Sequence, residues 1–291
     1  MMLVSIVTPT LNSSKYLDDC VESVLNQDYP LVEHIFMDGG STDGTAEKLM
    51  KYQSEYPRRI RFIPRHDSGS SDAWVNGMGI ANGDVLGEIG SDDSLAPGAI
   101  KEVVTFFEKN PDAKFVFGGC NYIDENGVVM KQAVTRDFDL KKAINDMCSI
   151  PTPSTFFKPE VIKKVDPAIM RRKNSEIEFW IMVGKEFKIW RIEPILSNFR
   201  VYEAKKQAKD YLYNFAKTNY DMGRRHGAGR FSPNARRYYL AVATRPFQRI
   251  VDPVFNHMST GDVGKSSFLI KATKPLRPMI RWAYRSLVGG G

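Results

Sequence analysis

Two carboxylates, Asp92 and Asp93, stand side by side in the stretch VLGEIGSDDSLAPGAI, directly after an apolar run. Adjacent carboxylates repel, and each prefers to stay charged in water. One reading is a polar turn and helix start, with Ser94 near the cap and Pro97 in the first turn. The other is a site for a hard divalent cation. Mg²⁺ and Mn²⁺ favour carboxylate oxygens and keep positions open for phosphate. A second cluster, MDGGSTDGT (37–45), holds glycines that let the backbone turn sharply and come close to a ligand. Its Asp38 can accept a hydrogen bond from a base or ribose NH or OH. The plainer alternative is a Gly-Asp turn leading into a helix capped by Ser41 or Thr42.

The elements that must carry these residues alternate. LVSIVT (3–8), HIFMD (34–38), IRFIP (60–64), DVLGEIG (84–90) and KFVFGGCNYI (114–123) read as strands. Helices are expected between them: Leu17, Val21, Val24 and Leu25 share one face, a second helix runs from about Asp43 to Tyr56, and a third follows from Ser71. Ile100, Val103, Val104 and Phe107 mark a fourth. DENG (124–127) turns a hairpin. Such alternation predicts a mostly parallel sheet covered on both faces, with ligands bound at the carboxyl ends of strands. The polar clusters fall there: Thr8–Asn12, Asp38–Gly44, His66–Asp72 and Gly90–Ser94. No G-x-G-x-x-G follows the first strand, which argues against a dinucleotide fold of the Rossmann type.

Beyond residue 150 the pattern changes. IPTPSTFF (150–157) is extended, with a buried edge strand as its plain reading, and 175–186 is helical. IWRIEPILSNFRVY (189–202) reads as two short strands, and three helices follow near 205–226, 234–250 and 266–287. The net charge of +7 is uneven. Residues 201–291 hold 17 Lys and Arg against 5 Asp and Glu, whereas residues 1–200 hold 24 against 29. Two regions with different partners follow from this, an acidic part suited to a cation and a basic part suited to phosphates, nucleic acid or an anionic membrane. Cys20, Cys120 and Cys148 share no zinc or disulfide spacing and fit a reducing cytosol. No apolar run approaches a membrane span. The opening MMLVSIVTPTLN reads as a first strand, not a signal peptide. GDVGKSS (261–267) lacks the first glycine of a P-loop and a preceding strand.

In combination, VSIVTPTLNSSKYLDDCVESVLNQDYP, HIFMDGGSTDGT and HDSGSSDAWVNGMGIANGDVLGEIGSDD closely resemble the inverting family 2 glycosyltransferases, which share the GT-A fold. The resemblance covers residues 3–125 well and 150–202 loosely. It implies an α/β fold: a mostly parallel, mixed nucleotide-binding sheet flanked by helices, with a C-terminal helical extension. On this reading residues 1–204 form the catalytic domain, with 1–125 for the nucleotide sugar and 126–204 for the acceptor. Residues 205–291 form a basic extension.

The resemblance also implies roles. Thr8 and Pro9 start the loop along the nucleotide, and Asp38 matches the position that binds the base, commonly uracil. Asp67 and Asp72 match the segment closing over nucleotide and ribose. Ser91 and Asp92-Asp93 match the D-x-D region, where a carboxylate holds Mg²⁺ or Mn²⁺ on the diphosphate. Here Gly90 replaces the first Asp, so Asp92 alone stands at the usual metal-binding end, with Asp93 helping through water. This departure bears on metal dependence itself. NSEIEFWIM (174–182) resembles the family's acidic helix start, with Glu176 at the general-base position and Glu178 as the alternative. As a plain helix it places Glu176 in the first turn, where the dipole favours it. NFRVYEAKK (198–206) places Arg200, Lys205 and Lys206 where a flap contacts diphosphate; equally, Arg200 pairs with a sheet-edge carboxylate.

The expected activity is transfer of a sugar from a nucleotide sugar, a UDP-sugar first, to a hydroxyl of a glycan or polyprenyl-linked oligosaccharide in bacterial surface polysaccharide synthesis. The alternatives are a sugar-phosphate nucleotidyltransferase, which needs a Gly-rich basic loop after the first strand, and a non-catalytic nucleotide- or membrane-binding module. The expected location is cytoplasmic. In the tail, Lys274, Arg277, Arg281 and Arg285 share a helical face, which suits peripheral contact with an anionic plasma membrane. No nucleic-acid partner is expected.

Overall fold

The computed structural model describes residues 1–146, 148, 150–172, 175–202 and 211–244. The chain divides into two units, one of residues 1–140 and 148–201, the other of 141–147 and 202–291.

The first unit is built on one mixed sheet. Its first part is the expected parallel array: β1 (Val4–Thr10), β2 (Val32–Asp38), β3 (Ile60–Pro64) and β4 (Val85–Glu88). The sheet continues with β5 (Ser94–Leu95), β6 (Phe115–Ile123), β7 (Val129–Gln132), β8 (Thr155–Phe157) and β9 (Ile189–Arg200). The spatial order is β3-β2-β1-β4-β8-β6-β9-β5, with β7 paired to β6. Pairs β1–β2, β2–β3, β1–β4 and β6–β9 are parallel; β4–β8, β6–β8, β6–β7 and β5–β9 are antiparallel.

Helices cover both faces because each carries one apolar stripe. On one face lie α1 (Leu17–Leu25), α2 (Thr45–Glu55) and α4 (Ala99–Lys109). Leu17, Val21, Val24, Leu49, Ile100, Val103 and Phe107 bury there against Val4, Ile6 and Val85. On the other face lie α3 (Ser70–Ile80) and α7 (Glu176–Glu186). Trp74, Met78, Phe179, Trp180 and Val183 pack on Val7, Ile35, Leu86 and Phe157. Phe115 and Phe157 stack at 5.6 Å, and Phe179 meets Phe157 edge-on at 5.5 Å. The short α6 (Pro167–Met170) is capped by Asp166, which accepts a hydrogen bond from the Ala168 amide at 2.9 Å.

Three local expectations change. Residues 189–200 form one strand, not two. Pro194 lacks an amide for the ladder, and β9 absorbs this as register shifts around Gly119 before pairing again as far as Arg200. The segment 155–157 is no edge strand: its TFF residues are all buried, between β4 and β6. Ser94 does not cap a helix. It lies in β5, its Oγ accepting from Asn198 at 3.1 Å, and α4 begins at Ala99 after a left-handed Gly98.

In the second unit, α5 spans Leu140–Asn145, of which residues 141–145 fall here, followed by α8 (Tyr211–Arg225) and α9 (Pro233–Thr244). Ala216 and Ala241 are buried, Tyr220 stacks on Tyr238 at 4.6 Å, and Arg237 pairs with Asp146. Lys205 and Lys206, the third expected helix and its four tail cations lie outside the described residues.

Candidate active site

Three loops at the carboxyl edge of the parallel strands are stitched into one rim. After β1, the Asn12 amide donates to Ser41 Oγ at 2.8 Å, and its Oδ1 accepts from the Thr42 amide at 2.9 Å. Asn12 tolerates the left-handed conformation (φ 52°) that this needs. The Ser13 amide donates to Thr45 Oγ1 at 2.8 Å and the Ser14 amide to Asp43 Oδ2 at 2.9 Å, tying the β1 loop to the β2 loop. Ser13 Oγ also meets Ser91 Oγ at 2.7 Å, tying it to the β4 loop. Beneath them, Thr8 is buried against His34, with Oγ1 2.8 Å from Nε2. Burial and nearby Arg59 push the His34 imidazole down to about 3, so it is neutral. Pro9 is half-buried.

Asp38 ends β2 at 2% exposure. Its Oδ2 accepts from the amides of Gly40 (3.1 Å) and Ser41 (2.9 Å), and its Oδ1 from Ser41 Oγ at 2.5 Å. The carboxylate thus closes the turn, as the plain reading had it. Gly40 has φ 104°, and a β-carbon there would lie 2.7 Å from the His66 ring. The Asp67 carboxylate lies 3.0 Å from where a Gly39 β-carbon would be, and accepts from the Gly69 amide at 2.8 Å. Asp38 and Asp67 therefore flank the same Gly39-Gly40 turn. Asp72 is spoken for elsewhere: it accepts from the Ser68 amide at 3.1 Å and pairs with Arg171, just beyond α6.

Asp92 and Asp93 differ in setting. Asp93 is 3% exposed, and its Oδ1 accepts the Arg200 amide at 2.9 Å. Asp92 is half-buried. Their carboxylates close in on Gly90: a β-carbon there would lie 2.7 Å from Asp93 Oδ2 and 3.0 Å from Asp92 Oδ1. The glycine that breaks the D-x-D pattern is the residue that makes room for this pair. Among the described residues no group of three or more His, Cys, Asp or Glu could hold a metal by itself. A donor set of one or two carboxylates matches a cation that takes its other ligands from phosphate and water, so Asp92 and Asp93 fit Mg²⁺ or Mn²⁺ in that manner.

Arg200 corrects an expectation. It is 1% exposed and spreads its guanidinium inward. Nε donates to the Asp92 carbonyl at 2.9 Å, Nη1 to the carbonyls of Asp124 and Glu125 at 3.2 and 3.0 Å, and Nη2 to Asp19 Oδ2 at 2.6 Å. The Tyr16 ring lies 4.4 Å from its guanidinium carbon. It clamps β9, α1 and the β4 and β6 loops together, which is the paired reading rather than the diphosphate one.

Helix α7 carries two acids in its first turn. Glu176 is exposed in its first turn; Glu178 is 3% exposed, 3.8 Å from Arg172. Reading motifs missed a further acid, Glu88, at the carboxyl end of β4. Burial first and Glu176 second push its carboxyl well above the usual range. The available signal was a lone carboxylate closing an apolar strand, four residues before Asp92.

Residues 5–165 match the family described as Glycosyl transferase family 2. An uncharacterised glycosyltransferase of Methanocaldococcus jannaschii is 26% identical over 75% of this chain and 79% of its own length. A chondroitin synthase of Escherichia coli is 36% identical over 43% of this chain, and this match spans only 18% of that enzyme. Among solved structures, a mannosyltransferase from Pyrobaculum calidifontis in complex with GDP-Man and Mn²⁺ superposes over 98% of this chain and 84% of its own, with a TM-score of 0.60 at 14% identity.

Proposed function

Because the chain belongs to glycosyl transferase family 2 and has the mixed α/β GT-A sheet, we propose that this glycosyltransferase moves a sugar from a UDP-sugar to a saccharide hydroxyl with inversion at the anomeric carbon. The observation that carries this reading is the stitched rim. Loops from β1, β2 and β4 meet through the Asn12–Ser41, Ser13–Thr45 and Ser13–Ser91 contacts, with Asp92 beside them.

In this reading Thr8, Pro9, Asp38, Asp67 and Ser91 shape the nucleotide side. Asp38 acts through the turn it organises, which presents the Gly39-Gly40 backbone to base and ribose. Asp92, with Asp93 behind it, holds the divalent cation, which when bound neutralises charge on the leaving diphosphate. Glu176 stands on the acceptor side. The acceptor oxygen attacks the anomeric carbon, its proton passes to the Glu176 carboxylate, and the carbon–oxygen bond to the diphosphate breaks with its electron pair on the phosphate oxygen. A base so placed contributes about 10²–10⁴-fold.

The chondroitin synthase likeness supports a growing polysaccharide or lipid-linked glycan as acceptor. The basic C-terminal part suits peripheral contact with an anionic bilayer, and among the described residues no helix is long and apolar enough to cross one. Release of the nucleotide diphosphate from a panel of UDP- and GDP-sugars, with and without Mn²⁺, tests the proposal. A UDP-sugar turned over only with the cation supports it. Preference for a GDP-sugar overturns the uridine assignment, and no turnover of any donor overturns the activity.

A further inference from the structure

The turn that carries Asp92 is fastened at several points. It closes on itself through the Asp93 amide, which donates to the Gly90 carbonyl at 3.0 Å. Ser91 is tied to Ser13 in the β1 loop, and Ser94 to Asn198 in β9. The Leu95 amide donates to Ser23 Oγ in α1 at 3.0 Å. Between these ties, Arg200 holds both aspartates. Its amide donates to Asp93 Oδ1 at 2.9 Å, and its Nε to the Asp92 carbonyl at 2.9 Å. The second contact takes the Asp92 main chain and does not involve its carboxylate. Arg200 is itself held. Asp19, in the first turn of α1, accepts from Nη2 through Oδ2 at 2.6 Å. The Asp124 and Glu125 carbonyls accept from Nη1, and the Tyr16 ring lies against the guanidinium. The Arg200 side chain is 2% exposed and that of Asp19 59%. A buried guanidinium needs an opposite charge and a filled fork of acceptors, and these groups supply both.

We propose that Asp19 and Arg200 are positioning residues for the cation. Asp19 aims the Arg200 guanidinium, and Arg200 fixes the Asp92-Asp93 turn so that the Asp92 carboxylate meets Mg²⁺ or Mn²⁺. The inference rests on Asp92 as the cation's ligand and goes beyond it by naming what holds that ligand. A site with one or two protein carboxylates depends on how firmly each is held. Removing a group that orients a metal ligand typically changes metal affinity by about 10–100-fold. Charge and position make opposite predictions at Arg200. A guanidinium repels a nearby cation, so its loss by charge alone tightens cation binding. Loss of a clamp weakens it.

Mn²⁺ affinity at saturating UDP, read by the electron paramagnetic resonance of free Mn²⁺, separates these, with calorimetry of UDP in the absence of the cation alongside. Arg200→Met should bind Mn²⁺ about tenfold or more weakly and keep its cation-free UDP affinity. Asp19→Asn should shift Mn²⁺ binding the same way, to a smaller extent. Asp18→Asn removes the same charge from the next residue, whose carboxylate meets Lys48 and Tyr52 instead, and should match the wild type. Unchanged or tighter Mn²⁺ binding in Arg200→Met would overturn the clamp, as would equal losses in Asp19→Asn and Asp18→Asn. A drop in cation-free UDP affinity would also overturn it, because Arg200 would then serve the diphosphate. Should Arg200→Met fail to fold, the comparison of Asp19→Asn with Asp18→Asn decides. Wild-type UDP binding indifferent to Mn²⁺ defeats the cation reading itself and this inference with it; a cation-dependent wild type with indifferent variants defeats the inference alone.

Discussion

Glu176 and Arg200 were both expected to meet substrate, and their surroundings separate them. Glu176 opens a helix and is exposed. Glu176→Gln keeps the shape and removes the proton acceptor, so kcat should fall by about 10²–10⁴-fold with KM little changed. Steady-state kinetics checks this, and a matching rise in KM would mean a binding role. Arg200 instead spends its donors on Asp19 and three backbone carbonyls. Arg200→Met removes four hydrogen bonds made by a buried guanidinium and should cost about 1–3 kcal/mol of stability. Urea denaturation reads this loss. If UDP affinity drops while stability holds, the diphosphate role returns.

The elements were largely legible in the residues, the cross-connections less so. Apolar periodicity located β1 to β4 and the helices between them, because each has one stripe or run that must be buried. The order β4-β8-β6-β9-β5 was hidden. A three-residue strand such as TFF has no period, and its central place depends on partners far along the chain. The same holds at the site. The polar loops announced themselves through Gly, Ser and Asp, whereas Glu88 and the inward turn of Arg200 depend on which sheet face and which neighbours the fold supplies. Two changes probe these elements. Phe157→Ala removes a ring stacked on Phe115 and met edge-on by Phe179 and should cost about 3–5 kcal/mol by thermal or urea unfolding. Gly90→Asp, which restores the D-x-D pattern, places a side chain against the Asp92 and Asp93 carboxylates. It should weaken cation binding and cost about 1–3 kcal/mol from overpacking. Tighter Mn²⁺ binding by this variant would show that the glycine is not there to make room.

Across the whole molecule, charge and chemistry are divided. The first 200 residues carry the stitched acidic rim, and the last 91 carry the excess of Lys and Arg. A full-length chain should sediment with vesicles containing phosphatidylserine, and release as salt rises, since each basic residue near such a surface contributes about 1 kcal/mol. Equal binding to neutral vesicles would contradict an electrostatic contact. The proposed activity requires a nucleoside diphosphate on the β1, β2 and β4 loops, held by a cation on Asp92. Calorimetric titration of UDP, with and without Mn²⁺, into the wild-type chain and Asp92→Ala reads this directly. The account predicts binding at least about tenfold tighter with Mn²⁺, a difference of about 1.4 kcal/mol, and its loss in Asp92→Ala. UDP affinity that ignores both the cation and the substitution would contradict it.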